Sequence, residues 1–495
     1  MVNGPNHKER LTMQQATGKI IDYFEQINRI PRCSKQEQRI RQWLQQWAAK
    51  RGLTTNVDTV GNLVIQVPAT PGFGPAPTVV LQGHMDMVCE KHADSDHDFS
   101  TDPIRMVQDG EWLTAVDTTL GADNGIALAL SLALVDDPDV IHPDLELFFT
   151  VDEETGLTGA MQMDPSLLRG RILVNLDSED EGVFVVGCAG GRTTTITLTL
   201  DEQDLGNDDV IMNVTATGMR GGHSGVDIAK HRANANTIVG RLLGAGLTAG
   251  PVRIVDINGG TANNVIPRTC QAHIACSRKD VAAVKQAMDN CAQVIRGEFN
   301  RTEPDMTIDI DEEKAANGDR RRVSQHDTAK IADLLLALPS GPVEMELDDP
   351  MLVSTSVNLA VLTMQSGQLV VTSSQRAAIP SRLDAICRTI EAMGHLCGAE
   401  VHTSVGYPSW PMNSESRLLQ QCKTVYQDLF GVEPIVQTMH AGLECGVIGD
   451  RCPGMDMISL GPTLQNPHSP SERLHLPSVE KVWRLLVGLL ASYAT

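Results

Sequence analysis

The chain has 495 residues, 40 basic against 62 acidic, for a formal charge of −22. With 41% apolar and 21% charged residues its composition is globular, which excludes a disordered or fibrous chain, and its length allows two or three domains. So acidic a chain lacks the basic face that phosphate backbones and anionic membranes require, so neither nucleic acid nor membrane is expected as a partner.

The N-terminal residues are polar and lack the apolar stretch of a signal peptide. The longest apolar run, Gly125 to Val135, is far short of the ~20 residues that span a bilayer. A soluble, cytoplasmic protein is expected. Eleven cysteines, an odd number at irregular spacing without a C-x-x-C pair, fit reduced thiols better than a disulfide framework.

In chain order, Ile20 to Ile27 and Arg39 to Lys50 carry helical spacing, and Asn62 to Val67 is a short β-rich run. Pro68 to Pro77 is a loop. Thr78 to Gln82 is an apolar strand that runs into Gly83-His84-Met85-Asp86. A helix, Gly125 to Val135, follows Asp123. Leu145 to Val151 ends at Asp152-Glu153-Glu154, Arg171 to Leu176 ends at Asp177, and Met455 to Leu460 leads into the loop that holds His468. Strands apolar on both faces and alternating with helices predict an α/β domain, a mixed, largely parallel sheet with helices on both faces. In such sheets ligands bind beyond the carboxyl ends of the strands, where these polar residues fall.

After Gly187 the pattern changes. Thr193 to Leu200 and Val210 to Gly218 alternate apolar and polar residues, as half-buried antiparallel strands do. Ala233 to Leu243, Asp280 to Phe299 and Ser381 to Met393 are helical, and Val361 to Thr372 is strand-like. A faint echo joins Asn264 to Arg278 with Asn358 to Arg376. The expected organisation is an inserted α+β lid domain at 189–402, open to a reading as two related halves, within a catalytic domain made of 1–188 and 403–495.

His84, Asp123, Glu154, Asp177 and His468 all sit at strand ends or adjacent loops. Imidazole and carboxylate together suit Zn²⁺, with Co²⁺ or Mn²⁺ as substitutes. Five protein ligands are too many for one catalytic zinc that keeps a water, but they suffice for two metals when one carboxylate bridges. Taken singly, these residues have ordinary alternatives: His84 as a capping or core histidine, Asp123 as a helix cap, Asp177 as a solvated turn and His468 as one histidine of 14. Their joint placement favours a site.

These segments, with Gly121-Ala122-Asp123-Asn124-Gly125 and Asp152-Glu153-Glu154-Thr155-Gly156, resemble the di-zinc exopeptidases, a family that includes aminoacylases, carnosinases and peptidase T. Gly218 to Gly225, Gly259 to Arg268 and His440 to Gly446 resemble its aminoacyl-histidine dipeptidase branch, bacterial cytosolic enzymes that cleave Xaa-His and related dipeptides. The resemblance implies that Asp123 bridges two metals, that His84 and Asp177 complete one site, and that Glu154 and His468 complete the other. It implies that Asp86 orients His84, that Glu153 is the general base, and that the Asp123–Asn124 peptide bond is cis. In the lid, His223 would stabilise the oxyanion, while Asn264 and Arg376 would hold the substrate carboxylate. His440 and Glu444 would lie near the ligand. A homodimer is implied, with His223 acting either on the partner's metals or within its own chain. The rival readings are a di-metal deacylase of N-acyl amino acids and a non-catalytic scaffold that has kept the fold. The second would need a lost ligand or base, and none is missing.

Overall fold

The computed structural model describes residues 7–73, 76–313, 321–347 and 352–494. The chain forms two compact units. The first comprises residues up to Cys188, Trp410–Thr438 and Leu443–Thr495; the second comprises Ala189–Ser409 and Met439–Gly442. The return to the first unit therefore comes after Ser409 and not after residue 402. The reason is pairing: Glu400–Thr403 adds to strand Gly190–Thr199, and Tyr407 goes on to pair with Gly191. The short excursion at Met439–Gly442 carries no periodic signal; it is held by the Ala189 N–H, which donates to the Met439 carbonyl at 3.0 Å.

The first unit is built on an eight-stranded mixed sheet. Its order is Thr54–Val57, Leu63–Val67, Leu145–Thr150, Val79–His84, Ile172–Asn175, Asp456–Ser459, Val183–Cys188 and Ile435–Met439. The central strands are parallel, and Leu63–Val67 pairs antiparallel at one side. Val79–His84 and Leu145–Thr150 are buried along their whole length, which is why they read as unbroken apolar runs. Register then sets the site. His84 lies level with Thr150, and Gln82 with Asn175, so the loops carrying Asp86, Glu154 and Asp177 leave one carboxyl edge together. Helix Ala122–Val135 is buried throughout except for Asp123 and Val135, as its nearly uniform apolar sequence requires.

The second unit holds a nine-stranded antiparallel sheet, and its topology is doubled. One half runs strand Asp209–Thr217, helix Ala235–Ala249, strands Arg253–Gly259 and Cys270–Ser277, helix Val281–Phe299, strand Thr307–Glu312. The other runs strand Gly190–Thr199, helix Gln325–Ala337, strands Val353–Gln365 and Gln368–Ala377, helix Pro380–Leu396, strand Glu400–Thr403. In each half the strands lie in the order second, third, first, fourth, and the two second strands pair at the middle through Asn258 and Thr363. The first half is inserted after the opening strand of the other, and the echoing segments contain the third strand of each half. The run Val361 to Thr372 is not one strand but the tip of a hairpin, turning at Ser366 and Gly367, both at positive φ.

The cysteines depart from expectation. Cys33 and Cys89 are joined as a disulfide with Cα atoms 5.7 Å apart; the other nine are thiols. The fold brings the pair together because Cys33 bridges Met87, setting the loop after the first helix beside the loop after His84. Among the described residues no helix is long and apolar enough to cross a membrane.

Candidate metal centre

Asp123 sits at the head of helix Ala122–Val135, outside helical geometry, and the Asp123–Asn124 peptide bond is cis. Its two carboxylate oxygens face opposite ways. Oδ1 lies 3.1 Å from His84 Nε2, and Oδ2 lies 3.2 Å from His468 Nε2. His84 Nε2 is also 3.5 Å from Asp177 Oδ1, and His468 Nε2 is 2.9 Å from Glu154 Oε2. The ligand-type atoms thus fall into two groups that share Asp123: His84, Asp123 and Asp177, and Asp123, Glu154 and His468, each within 4.8 Å. Glu153 joins His84 and Glu154 in a third such group.

Asp86 ties the groups together. It is fully buried, its Oδ1 lies 3.3 Å from His84 Nδ1, and it accepts the Ser34 hydroxyl and the backbone N–H groups of Glu153 and Glu154. One carboxylate therefore lies against the imidazole and also holds the loop carrying two acids.

The electrostatics are those of a crowd of carboxylates. Burial works against ionising Asp123, yet its bonds to His468 and His84 hold it well below the usual carboxylate range. Burial pushes Asp177 up to about 6. Burial, with Asp177, Glu154 and Glu444 adding like charge, raises Glu153 far above its ordinary value. Bonds to Asp123 and Glu154 lift His468 to about 11, and on His84 the pull of Asp177 and Asp123 outweighs burial. The surrounding carboxylates thus favour the charged form of both imidazoles. Glu154 Oε1 and Asp177 Oδ1 are buried without a hydrogen-bond partner. Buried carboxylate oxygens left unpaired and converging with imidazole nitrogens fit the nitrogen and oxygen donor set of divalent ions such as zinc.

Several supports carry no local sequence signal. Glu472, 2% exposed, accepts the backbone N–H groups of Leu120, Gly121, Ala122 and Asp123. Arg32, 1% exposed, donates to the carbonyls of Met85, Asp86 and Gly121. Beneath the strand ends Glu444 accepts Gln82 Nε2 at 2.6 Å and the Thr150 hydroxyl at 2.7 Å, and burial pushes it up to about 7.

Of the remaining sequence candidates His223, Asn264, Arg376 and His440 lie in the second unit and Glu444 in the first. His223 and Asn264 stand on two loops zipped together: His223 bridges Val265, and the Ser224 N–H donates to the Asn264 carbonyl at 2.8 Å. His223 Nδ1 accepts the N–H groups of Gly225 and Val226. Arg376, 6% exposed, donates through Nη1 to the Tyr407 hydroxyl at 2.5 Å. His440 Nε2 is 2.7 Å from the Ser356 hydroxyl, and burial beside Arg376 and His223 pushes it down to about 4.

The sequence matches the model of peptidase family M20/M25/M40 over residues 80–492. It is 37% identical over 469 residues to the cytosol non-specific dipeptidase of Escherichia coli (strain K12), covering 95% of this chain and 96% of that one. The crystal structure of aminoacylhistidine dipeptidase from Vibrio alginolyticus superposes with a TM-score of 0.85 at 34% identity over 96% of each chain. Human carnosine dipeptidase 1 shares the fold, at 11% identity and a TM-score of 0.52 over 99% of each chain. The matched span begins in the strand that ends at His84 and runs past His468, so it takes in every residue of the two acid–imidazole groups: the chain is a peptide hydrolase and belongs to peptidase family M20/M25/M40.

Proposed function

We propose that the protein is a cytoplasmic, homodimeric metallo-dipeptidase that hydrolyses Xaa-His dipeptides such as β-Ala-His, and other dipeptides besides. The observation that carries this reading is Asp123, which turns one carboxylate oxygen toward each of two acid–imidazole groups. The relatives named as dipeptidases support the substrate class, and the relative named as cytosolic supports the location.

Two divalent ions, zinc by the donor set with cobalt or manganese as alternatives, would be held by His84, Asp123 and Asp177 and by Asp123, Glu154 and His468, and when bound they polarise the scissile carbonyl and acidify a water. Glu153 removes the proton of the attacking water and delivers it to the leaving amine. Asp86 stands with Oδ1 3.3 Å from His84 Nδ1, where its charge favours a proton on that nitrogen and leaves Nε2 to face the ion. His223 accepts two backbone N–H groups at Nδ1, so its ring proton sits on Nε2, a donor for the carbonyl oxygen as negative charge develops there. Such a donor is worth about 3–4 kcal/mol. Asn264 and Arg376 hold the substrate's carboxylate, Arg376 through its guanidinium fork.

The test is a rate comparison on a dipeptide, its N-acetyl form and its C-terminal amide, with metal content measured on the same sample. Cleavage of the free dipeptide that chelation abolishes and zinc restores is the expected result. Faster cleavage of the N-acetyl form would assign the protein to the deacylases instead, and no cleavage of any of the three by metal-loaded protein would overturn the dipeptidase reading.

A further inference from the structure

Among the described residues no carboxylate is paired with the buried cation of Arg376, which is 6% exposed, and its Nε–H has no hydrogen-bond partner. A desolvated guanidinium in that state is costly unless a ligand completes it. That agrees with the proposed carboxylate role and raises a second question: what holds the fork in place while the ligand is away.

The sheet answers it. Arg376 on strand Gln368–Ala377 lies directly opposite Gly191 on the neighbouring strand. On its other side Gly191 pairs with Tyr407 through two backbone hydrogen bonds of 3.0 Å. Directly opposed residues on adjacent strands project to the same face of a sheet. Tyr407 and Arg376 therefore stand two strand spacings apart, about 10 Å, with Gly191 between them. Because Gly191 has no side chain, the two long side chains meet above it, Nη1 to hydroxyl at 2.5 Å. A Cβ on Gly191 would come within 2.5 Å of the Tyr407 hydroxyl oxygen, and one on Gly442 within 2.7 Å of its ring. Two glycines thus make the slot in which the ring is seated, and the seated ring fixes the hydroxyl.

We infer that Tyr407 is a positioning residue for Arg376, and that its hydroxyl, by accepting the Nη1 proton, sets the guanidinium for a free C-terminal carboxylate. This rests on the reading that Arg376 takes that carboxylate. One Arg donor is committed to Tyr407, and the others, the unpaired Nε–H among them, are left for the ligand. Arg keeps its charge with or without the phenol, so the phenol contributes geometry and not charge. The inference makes selectivity for a free carboxyl terminus a property of three residues in one row across the sheet.

The experiment measures kcat and KM on metal-loaded enzyme for a dipeptide and its C-terminal amide, in the native protein, Tyr407→Phe, Arg376→Ala and the double variant. Tyr407→Phe keeps the ring in its slot and removes the hydroxyl that accepts the Nη1 proton. It is expected to raise dipeptide KM about tenfold with kcat within about twofold, to leave the amide unchanged, and to add nothing in the Arg376→Ala background. If Arg376→Ala shows the carboxylate-specific effect and Tyr407→Phe does not, the positioning role is wrong and the carboxylate reading stands. An equal rise for dipeptide and amide in Tyr407→Phe would also overturn the inference, because a merely structural residue would act that way. If Arg376→Ala affects both substrates equally or neither, the carboxylate reading itself fails, and the inference with it.

Discussion

The Glu472 carboxylate accepts the backbone N–H of Asp123 at 3.2 Å, and with it those of Leu120, Gly121 and Ala122 at 2.7 to 2.9 Å. One buried acid thus satisfies four successive donors of the loop that presents the shared carboxylate. Glu472→Ala should leave those donors without partners and destabilise the metal-free protein by about 2–4 kcal/mol. Urea unfolding of the chelated protein checks this; a midpoint unchanged from the native protein would show that water replaces the carboxylate at no cost.

Asp123 serves both groups, so Asp123→Ala should lower metal content from about two ions per chain to below one. Elemental analysis after dialysis gives the number directly. Two ions retained in the variant would remove Asp123 from the bridging role.

Glu153→Gln should keep both metals and substrate binding while kcat falls by about 10²–10⁴, because an amide cannot accept the water's proton. Metal content that drops as far as in Glu154→Ala would mean that ligand and base are exchanged between these neighbours.

The homodimer and the action of His223 across it can be tested by mixing two inactive variants, Glu153→Gln and His223→Ala, under conditions that exchange subunits. If each His223 serves the other chain, the mixed dimer pairs an intact base with an intact histidine at one site, and activity returns. A mixture with heterodimers demonstrated and no activity would place His223 in its own chain.

His440 gives a pH prediction. Burial beside Arg376 and His223 pushes it down to about 4, against about 6.5 in the unfolded chain. Between those values the unfolded chain binds a proton that the folded one does not, so stability rises with pH across this window and is lost as pH falls through it. Above about 6.5 neither state is charged and the contribution is constant. On acidification from pH 7 to 4 the metal-free native protein should lose about 3 kcal/mol more stability than His440→Gln. Parallel curves for the two proteins would show that His440 takes its proton without cost.

Much of the site was legible because ligands at strand ends leave short, repeated patterns. His84, Glu154 and Asp177 each follow an apolar run and Asp123 precedes one, while Asp86 lies two residues from His84 and Glu153 beside Glu154. Glu472 and Arg32 were not legible. A single acid or base in a loop reads the same whether solvated or buried, and only its distant partners tell the two apart. The helices Arg417–Phe430 and Leu476–Ala491 each bury one face, and Gln325–Ala337 does so with a weaker pattern.

Composition and periodicity by themselves determined that this is an acidic globular chain with an α/β unit interrupted after residue 188 by an antiparallel one, since burial on both faces and burial on one face leave different repeats. They also set which residues could ligate a metal. Tertiary structure alone decided which of those residues meet, that Asp123 divides its oxygens between two imidazoles, and that the second unit is one pattern used twice with one copy inserted in the other. It alone decided that Cys33 finds Cys89 and that Tyr407 reaches Arg376 over a glycine. The physical reason is range. A repeat of two or 3.6 residues reports which face of an element is buried, whereas strand order and register are set by packing between segments up to hundreds of residues apart, and contacts such as Glu472 with Asp123 exist only once that packing is complete.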